Sequence, residues 1–225
     1  MSNIRKTVIF IILFTCFTVY SFGDIFYSFS LGLNRLNEQY PDDNYGKELN
    51  GISLVMSLNY YPEKIPLGWF IRTSLGGMTT GYEWKDNAIE SISFDSSTDL
   101  SISMGPSYSI KMGSIMYIPI SIGPLVTSYR EEAFGYYDED IKGFYDAVNI
   151  GAILDIGVII NPVRRFIITN NIIASYDFAR WERGYMSTSF HDIHNGNFKY
   201  VNYSAFNLGF YFGLGMRFGG LRNNS

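Results

Sequence analysis

Hydrophobic and polar positions alternate with period two over long runs of this chain, most clearly from Asn202 to Phe218. Even positions there carry Phe206, Leu208, Phe210, Phe212, Leu214, Met216 and Phe218, and odd ones Tyr203, Ala205, Asn207, Gly209, Tyr211, Gly213, Gly215 and Arg217. Strict alternation is the pattern of a β-strand with two unlike faces. A water-exposed sheet would carry Lys, Glu and Thr opposite its core. Here that face holds glycine, alanine and asparagine with a single charge, which suits a crowded lumen, and the apolar row then faces lipid. The competing reading is a long strand of a soluble sandwich or a lipocalin-like barrel.

Seven earlier stretches repeat the pattern, at about 25–36, 49–61, 67–77, 98–112, 115–130, 144–160 and 166–178. Polar segments of 12 residues or more follow the first, third, fifth and seventh strands, at about 37–48, 78–97, 131–143 and 180–197. Short turns follow the second, fourth and sixth, at Pro62–Pro66, Gly113–Ser114 and Asn161–Arg165. Eight strands with alternating long and short connections predict an all-β fold, an eight-stranded antiparallel up-and-down transmembrane β-barrel. In hydrocarbon every backbone donor and acceptor must be paired within the protein, so the sheet has to close on itself. An eight-stranded barrel has room for its own side chains and little more, which argues against a general diffusion porin. Tyr60, Trp69, Tyr117, Phe166 and Phe218 fall near the short-turn end, where an interfacial aromatic girdle is expected.

Composition agrees with this picture. Aromatic residues make up 17% of the chain and charged residues only 17%, yet mean hydropathy is near zero because half of each strand is polar. Arg5 and Lys6, the apolar run Val8–Tyr20 and Ser21-Phe22-Gly23 read as a cleavable export signal, giving a division into 1–23 signal peptide, 24–218 barrel and 219–225 tail. The only cysteine, Cys16, falls inside the leader, so no disulfide is expected. Read as a lipidation site, Cys16 would follow Leu13-Phe14-Thr15, a poor match to a lipobox. Without Arg5 and Lys6 the seventeen basic residues fall to fifteen against twenty-one acidic ones, a net charge of about −6 that gives no reason to bind nucleic acid.

The final strand resembles the C-terminal assembly signal of bacterial outer-membrane β-barrels, carried by Phe210, Phe212, Leu214, Met216 and the terminal aromatic Phe218, although Gly219–Ser225 follow it. As a whole the chain resembles small eight-stranded outer-membrane barrels of the OmpA/OmpX/OmpW type. That resemblance implies export to the outer membrane of a double-membraned bacterium, with outer-membrane lipid and the barrel-assembly machinery as partners. It carries over no ligand-binding residues.

Candidate chemistry is sparse. Arg72 and Asp155 face the lumen at similar depths and are expected to pair, with Asp177, Lys111 and Arg217 as further members of a polar plug; ion conduction is the sharper alternative. Pro106, Pro119 and Pro124 interrupt the fourth and fifth strands, where proline cannot donate to the ladder. They suggest either a bulge or a weakened lateral seam, as in OmpW-type barrels and the lipid A palmitoyltransferase. His191 and His194, beside Ser187, Ser189 and Asp192, could assemble a site for lipid acyl chemistry or a two-histidine metal site, but no residue order supports either. Glu131, Glu132 and Asp138–Asp140 read as a solvated acidic loop, with calcium binding the alternative, and Tyr136, Tyr137, Tyr145, Trp181 and Tyr185 as contact or interfacial aromatics. The expectation is therefore a non-enzymatic barrel without cofactor or metal, serving envelope structure or external contacts through its loops. Passage of a small hydrophobic ligand with exit at the fourth–fifth seam is the second expectation, and a lipid-modifying enzyme the third.

Overall fold

The computed structural model describes residues 23–41, 45–62, 65–79, 82–85, 88–92, 96–134, 142–163, 165–186 and 197–219. Within them the chain forms β1 (Gly23–Tyr40), β2 (Tyr45–Pro62), β3 (Leu67–Thr79), β4 (Tyr82–Lys85), β5 (Ala88–Ile92), β6 (Ser96–Met112), β7 (Met116–Phe134), β8 (Lys142–Val163), β9 (Phe166–Met186), β10 (Lys199–Val201) and β11 (Ser204–Phe218). Eight of these are long. They pair antiparallel in the order β1-β11-β9-β8-β7-β6-β3-β2, and β2 pairs again with β1, so the ring closes and leaves none of the eight as a free edge.

Alternation decides which way each side chain points. On β1 the odd residues Phe29, Leu31 and Leu33 are exposed while Phe26, Ser28, Ser30 and Asn34 are buried. The exposed row continues around the ring through paired neighbours, Leu33 beside Ile52 and Phe210, Phe210 beside Ile172, and Ile172 beside Ile156. Leu33 is 67% exposed and Phe210 59%. An apolar belt of this extent has no counterpart on a water-soluble monomer, and on β1 it runs from Ile25 to Leu33, close to the nine to eleven tilted residues that cross a bilayer. Above it the outward positions turn charged. Arg35 pairs with Glu48, and Asp146 accepts from Arg183 at 3.0 Å. That change marks the outer boundary of the lipid belt.

The strands continue past this boundary. The first long connection shrinks from the expected 37–48 to 41–44, because β1 and β2 stay paired up to Tyr40 and Tyr45. The second contains the hairpin β4–β5, with β4 pairing to β2. β9 extends to Met186, eight residues beyond the expected end. In these aprons period two persists but Arg35, Gln39, Arg130 and Arg183 stand outward with only scattered aromatics such as Trp181 and Tyr200, so hydrophobicity alone reads them as loop. At the opposite end the turns are tight, and Gly113 adopts φ 69°, a left-handed geometry that glycine reaches at little cost.

Candidate functional site: the barrel lumen

The interior is filled by side chains in alternating apolar and polar tiers. Nearest the short turns, Phe26, Tyr61, Tyr117, Ile159 and Ile167 form one cluster. Tyr117 therefore does not join the expected girdle. It is 5% exposed, its ring 4.9 Å from that of Phe26, because odd positions of β7 point inward. Trp69 and Phe166 are exposed on the outer surface at this end, and Tyr60 and Phe218 are half-buried. Beneath the cluster Arg217 spans the closure of the barrel. Its Nη2 donates to both carboxylate oxygens of Asp24 at 2.9 and 3.0 Å, and its Nη1 to Asn161 Oδ1 at 3.0 Å. The Asn161 amide in turn donates to the carbonyls of Val163 and Phe166, so one guanidinium joins the first strand, the last strand and the β8–β9 turn.

Arg72 and Asp155 meet in the next tier. Arg72 Nη2 donates to Asp155 Oδ2, Nε donates to Ser57 Oγ at 3.0 Å, and Asn171 Nδ2 supplies Asp155 Oδ1 at 2.9 Å. Both charged side chains are almost fully buried, so removal of either would strand the other in a water-poor space. Ser107 accepts from Ser121 at 2.8 Å and shares a hydrogen with Tyr61 at 2.6 Å. A second apolar tier, with Val55, Phe70, Leu125, Ile153, Ile173 and Tyr211, lies across the middle of the lumen.

The outer tier holds a cluster that sequence reasoning missed. Arg180 is completely buried; Nη1 lies 3.0 Å from Glu38 Oε1 and Nε 3.2 Å from Glu182 Oε2. Its guanidinium lies 4.4 Å from the Tyr203 ring centroid and 5.3 Å from that of Tyr129. Tyr203 Oη also donates to Glu38 Oε1 at 2.8 Å. These groups sit above the lipid belt, where burial first, and then the Glu38 charge, pushes the Tyr203 phenol well above its ordinary range and keeps it a neutral donor. Arg180 falls in the expected fourth loop and, by the parity of Phe178, should face outward. A bulge reverses this. The β8–β9 register jumps from Ile150↔Ala179 to Gly151↔Asp177, so the parity of β9 switches and Arg180 and Glu182 turn inward.

Asp177 is buried and accepts from Asn149 Nδ2 at 3.1 Å, whereas Lys111 is exposed at the turn-end rim. The prolines do not share one seam. Between β6 and β7 the ladder stops after Ser103↔Leu125 and resumes at Ser107↔Ser121, which places Pro106 and Pro124 diagonally across the same gap. Pro119 is laddered there, opposite Ser109, and interrupts β7–β8 instead, where Ile118 and Pro119 have no partners. The reason is geometric: N–H directions alternate along a strand, and residues 119 and 124 differ in parity. The β6–β7 gap is closed by glycines. A Cβ on Gly105 would lie 2.3 Å from the Ile122 carbonyl oxygen, and one on Gly123 2.2 Å from that of Met104. Facing glycines thus let the backbones approach and place Cα–H groups against two carbonyls that lack proline N–H partners.

Phe210, Phe212, Leu214 and Met216 are exposed on the lipid face, and Phe218 pairs with Ile25. His191, His194, Ser187, Ser189, Asp192 and the acidic run Asp138–Asp140 lie outside the described residues. Among the described residues no three His, Cys, Asp or Glu side chains gather as a metal-ligating group.

Comparison of the sequence with protein-family models and with curated proteins gives no match. Solved structures do match. A major outer membrane protein from Thermus thermophilus is 12% identical, with a TM-score of 0.50, covering 84% of this chain and 99% of its own. OprG from Pseudomonas aeruginosa is 10% identical, with a TM-score of 0.49, over 89% and 97% of the two chains. The outer membrane protease OmpT from Escherichia coli is 9% identical, with a TM-score of 0.44, over 88% and 96%. Identities this low speak to fold and do not choose a role. In fold, the chain is a small β-barrel of the outer-membrane protein type.

Proposed function

We propose that the protein is a non-enzymatic β-barrel of the outer membrane of a double-membraned bacterium, with a lumen packed by its own side chains and strands that project as rigid aprons to present external loops. The observation that carries this reading is the tiered interior. Between the Arg217–Asp24 clamp and the Arg180 cluster, the lumenal space lined by Asp99, Asp177 and their neighbours measures about 50 Å³, room for one or two waters. A packed lumen supplies stiffness rather than flow. The aprons carry the strand ends past the lipid belt, where an external surface can meet them.

The interrupted β6–β7 ladder favours a second reading, in which a small hydrophobic molecule leaves sideways past Pro106 and Pro124. That route requires separation of the Gly105–Gly123 contact. A single set of planar-bilayer and vesicle measurements tests both. The leading reading expects no stable porin-like conductance, and uptake of a hydrophobic tracer that is unchanged when Pro106→Val and Pro124→Val restore the two missing donors. Steady conductance steps would overturn the packed lumen, and tracer uptake abolished by the proline replacements would establish the lateral route.

A further inference from the structure

Charge is balanced in every lumenal tier but one. Among the described residues, the buried charged side chains comprise three basic residues, Lys47, Arg72 and Arg180, against five acidic ones, Glu38, Asp99, Asp155, Asp177 and Glu182. Arg72 is matched by Asp155, and Arg180 together with Lys47, which pairs with Glu38 across the β1–β2 ladder, matches Glu38 and Glu182. The excess of two negative charges falls on Asp99 and Asp177, which line the same small cavity. Asp99 is 6% exposed and Asp177 6%.

The cavity wall has a second property. Asn34, Asp99, Asn149, Asp177 and Asn207 all line it, and the Oδ1 of each is buried with no hydrogen-bond partner among the described residues. The Asn149 assignment is fixed by its own chemistry, since its Nδ2 donates to Asp177 Oδ2. Two glycines give the carboxylates their places: a Cβ on Gly76 would lie 2.0 Å from Asp99 Oδ1, and one on Gly151 2.4 Å from Asp177 Oδ1. Arg72 Nη1, four residues before Gly76 on β3, is a buried donor on this wall, and its guanidinium is already neutralised by Asp155. Five buried acceptors around one cavity, two of them anionic, cannot satisfy one another.

We propose that this cavity is a binding site for a hard divalent cation of the Ca²⁺ class, held by the carboxylates of Asp99 and Asp177 and the amide oxygens of Asn34, Asn149 and Asn207. An all-oxygen set with two negative charges is the ligand chemistry such ions take, and the cavity accommodates a single ion. The ligands come from β1, β6, β8, β9 and β11, so the ion ties five of the eight strands together near the outer boundary of the lipid belt. Removing it leaves two like charges close to each other in a water-poor space.

The test uses the barrel refolded in a zwitterionic detergent free of lipopolysaccharide, with refolding verified independently by the heat-modifiable band on a gel. Tb³⁺, a luminescent stand-in for Ca²⁺, is excited through the tyrosines, of which Tyr129 and Tyr211 line the cavity. The expected result is one saturable Tb³⁺ site displaced by Ca²⁺, a thermal midpoint higher in Ca²⁺ than in EDTA, and loss of both effects in Asp99→Asn/Asp177→Asn. If that double variant does not refold, Asp99→Asn alone carries the test and weakens binding by roughly tenfold or more. Absence of Tb³⁺ binding and of a Ca²⁺-dependent midpoint in the wild type overturns the proposal. So does signal of equal strength in the variant, which would place the ion on the external acidic loop.

Discussion

Phe210→Arg is expected to destabilise the folded barrel by roughly 2–4 kcal/mol in phosphatidylcholine vesicles, the cost of an arginine near the bilayer midplane. Phe210 is 59% exposed and sits between the lipid-facing Leu33 and Ile172 at mid-height of the belt. An arginine there must either enter hydrocarbon or bend toward an interface more than one strand-step away. Gln39→Arg is the matched control. Gln39 is exposed on β1 beyond the charged boundary at Arg35, and the same side chain there should change stability by no more than about 0.5 kcal/mol. Reversible urea unfolding in vesicles measures both. Were the belt to face water, the two substitutions would cost equally little.

Arg180→Met is expected to cost about 3–5 kcal/mol, because it leaves Glu38 and Glu182 buried without their shared cation. Loss of the stack on Tyr203 and Tyr129 adds to this, and an exchange confined to packing would fall well short of it. A triple variant, Arg180→Met with Glu38→Gln and Glu182→Gln, removes the stranded charges and should recover most of the loss. The same urea titration distinguishes the cases. Equal destabilisation of single and triple variants would mean that packing, not charge, is the source. Because this cluster lies above the lipid belt, its loss should loosen the aprons before the transmembrane ring, giving protease access near residue 186 while the barrel remains folded.

Much of the architecture is legible in the chain because a membrane barrel has only one way to satisfy its backbone. Period two separates lipid from lumen, connection lengths orient the hairpins, and the matching depths of Arg72 and Asp155 follow from counting along two strands. What escapes is where parity breaks. The bulge at Ile150–Gly151 opposite Asp177–Ala179 turns Arg180 inward, and no local composition announces it. Tyr117 has a girdle residue's type and height but the wrong parity. Pro119 lies near Pro106 in the folded-out hairpin, yet its missing N–H faces β8. The aprons pass for loops because above the lipid the outward face of a strand loses its unbroken apolar row and carries charges such as Arg35, Arg130 and Arg183. The oxygen-lined cavity is illegible for another reason: its five ligands are one residue from each of five strands, so no spacing motif exists to find.

The lipid-facing orientation of the apolar rows is tested most directly by a cysteine scan along β11. The only native cysteine, Cys16, precedes the barrel, so single cysteines at positions 206 to 216 can each carry a spin label in vesicles. Collision with oxygen, which concentrates in hydrocarbon, should peak at the even positions, and collision with a water-soluble nickel chelate should be low throughout the belt. Even positions that favour the nickel chelate over oxygen would place Phe210, Phe212 and Leu214 in water and contradict the account.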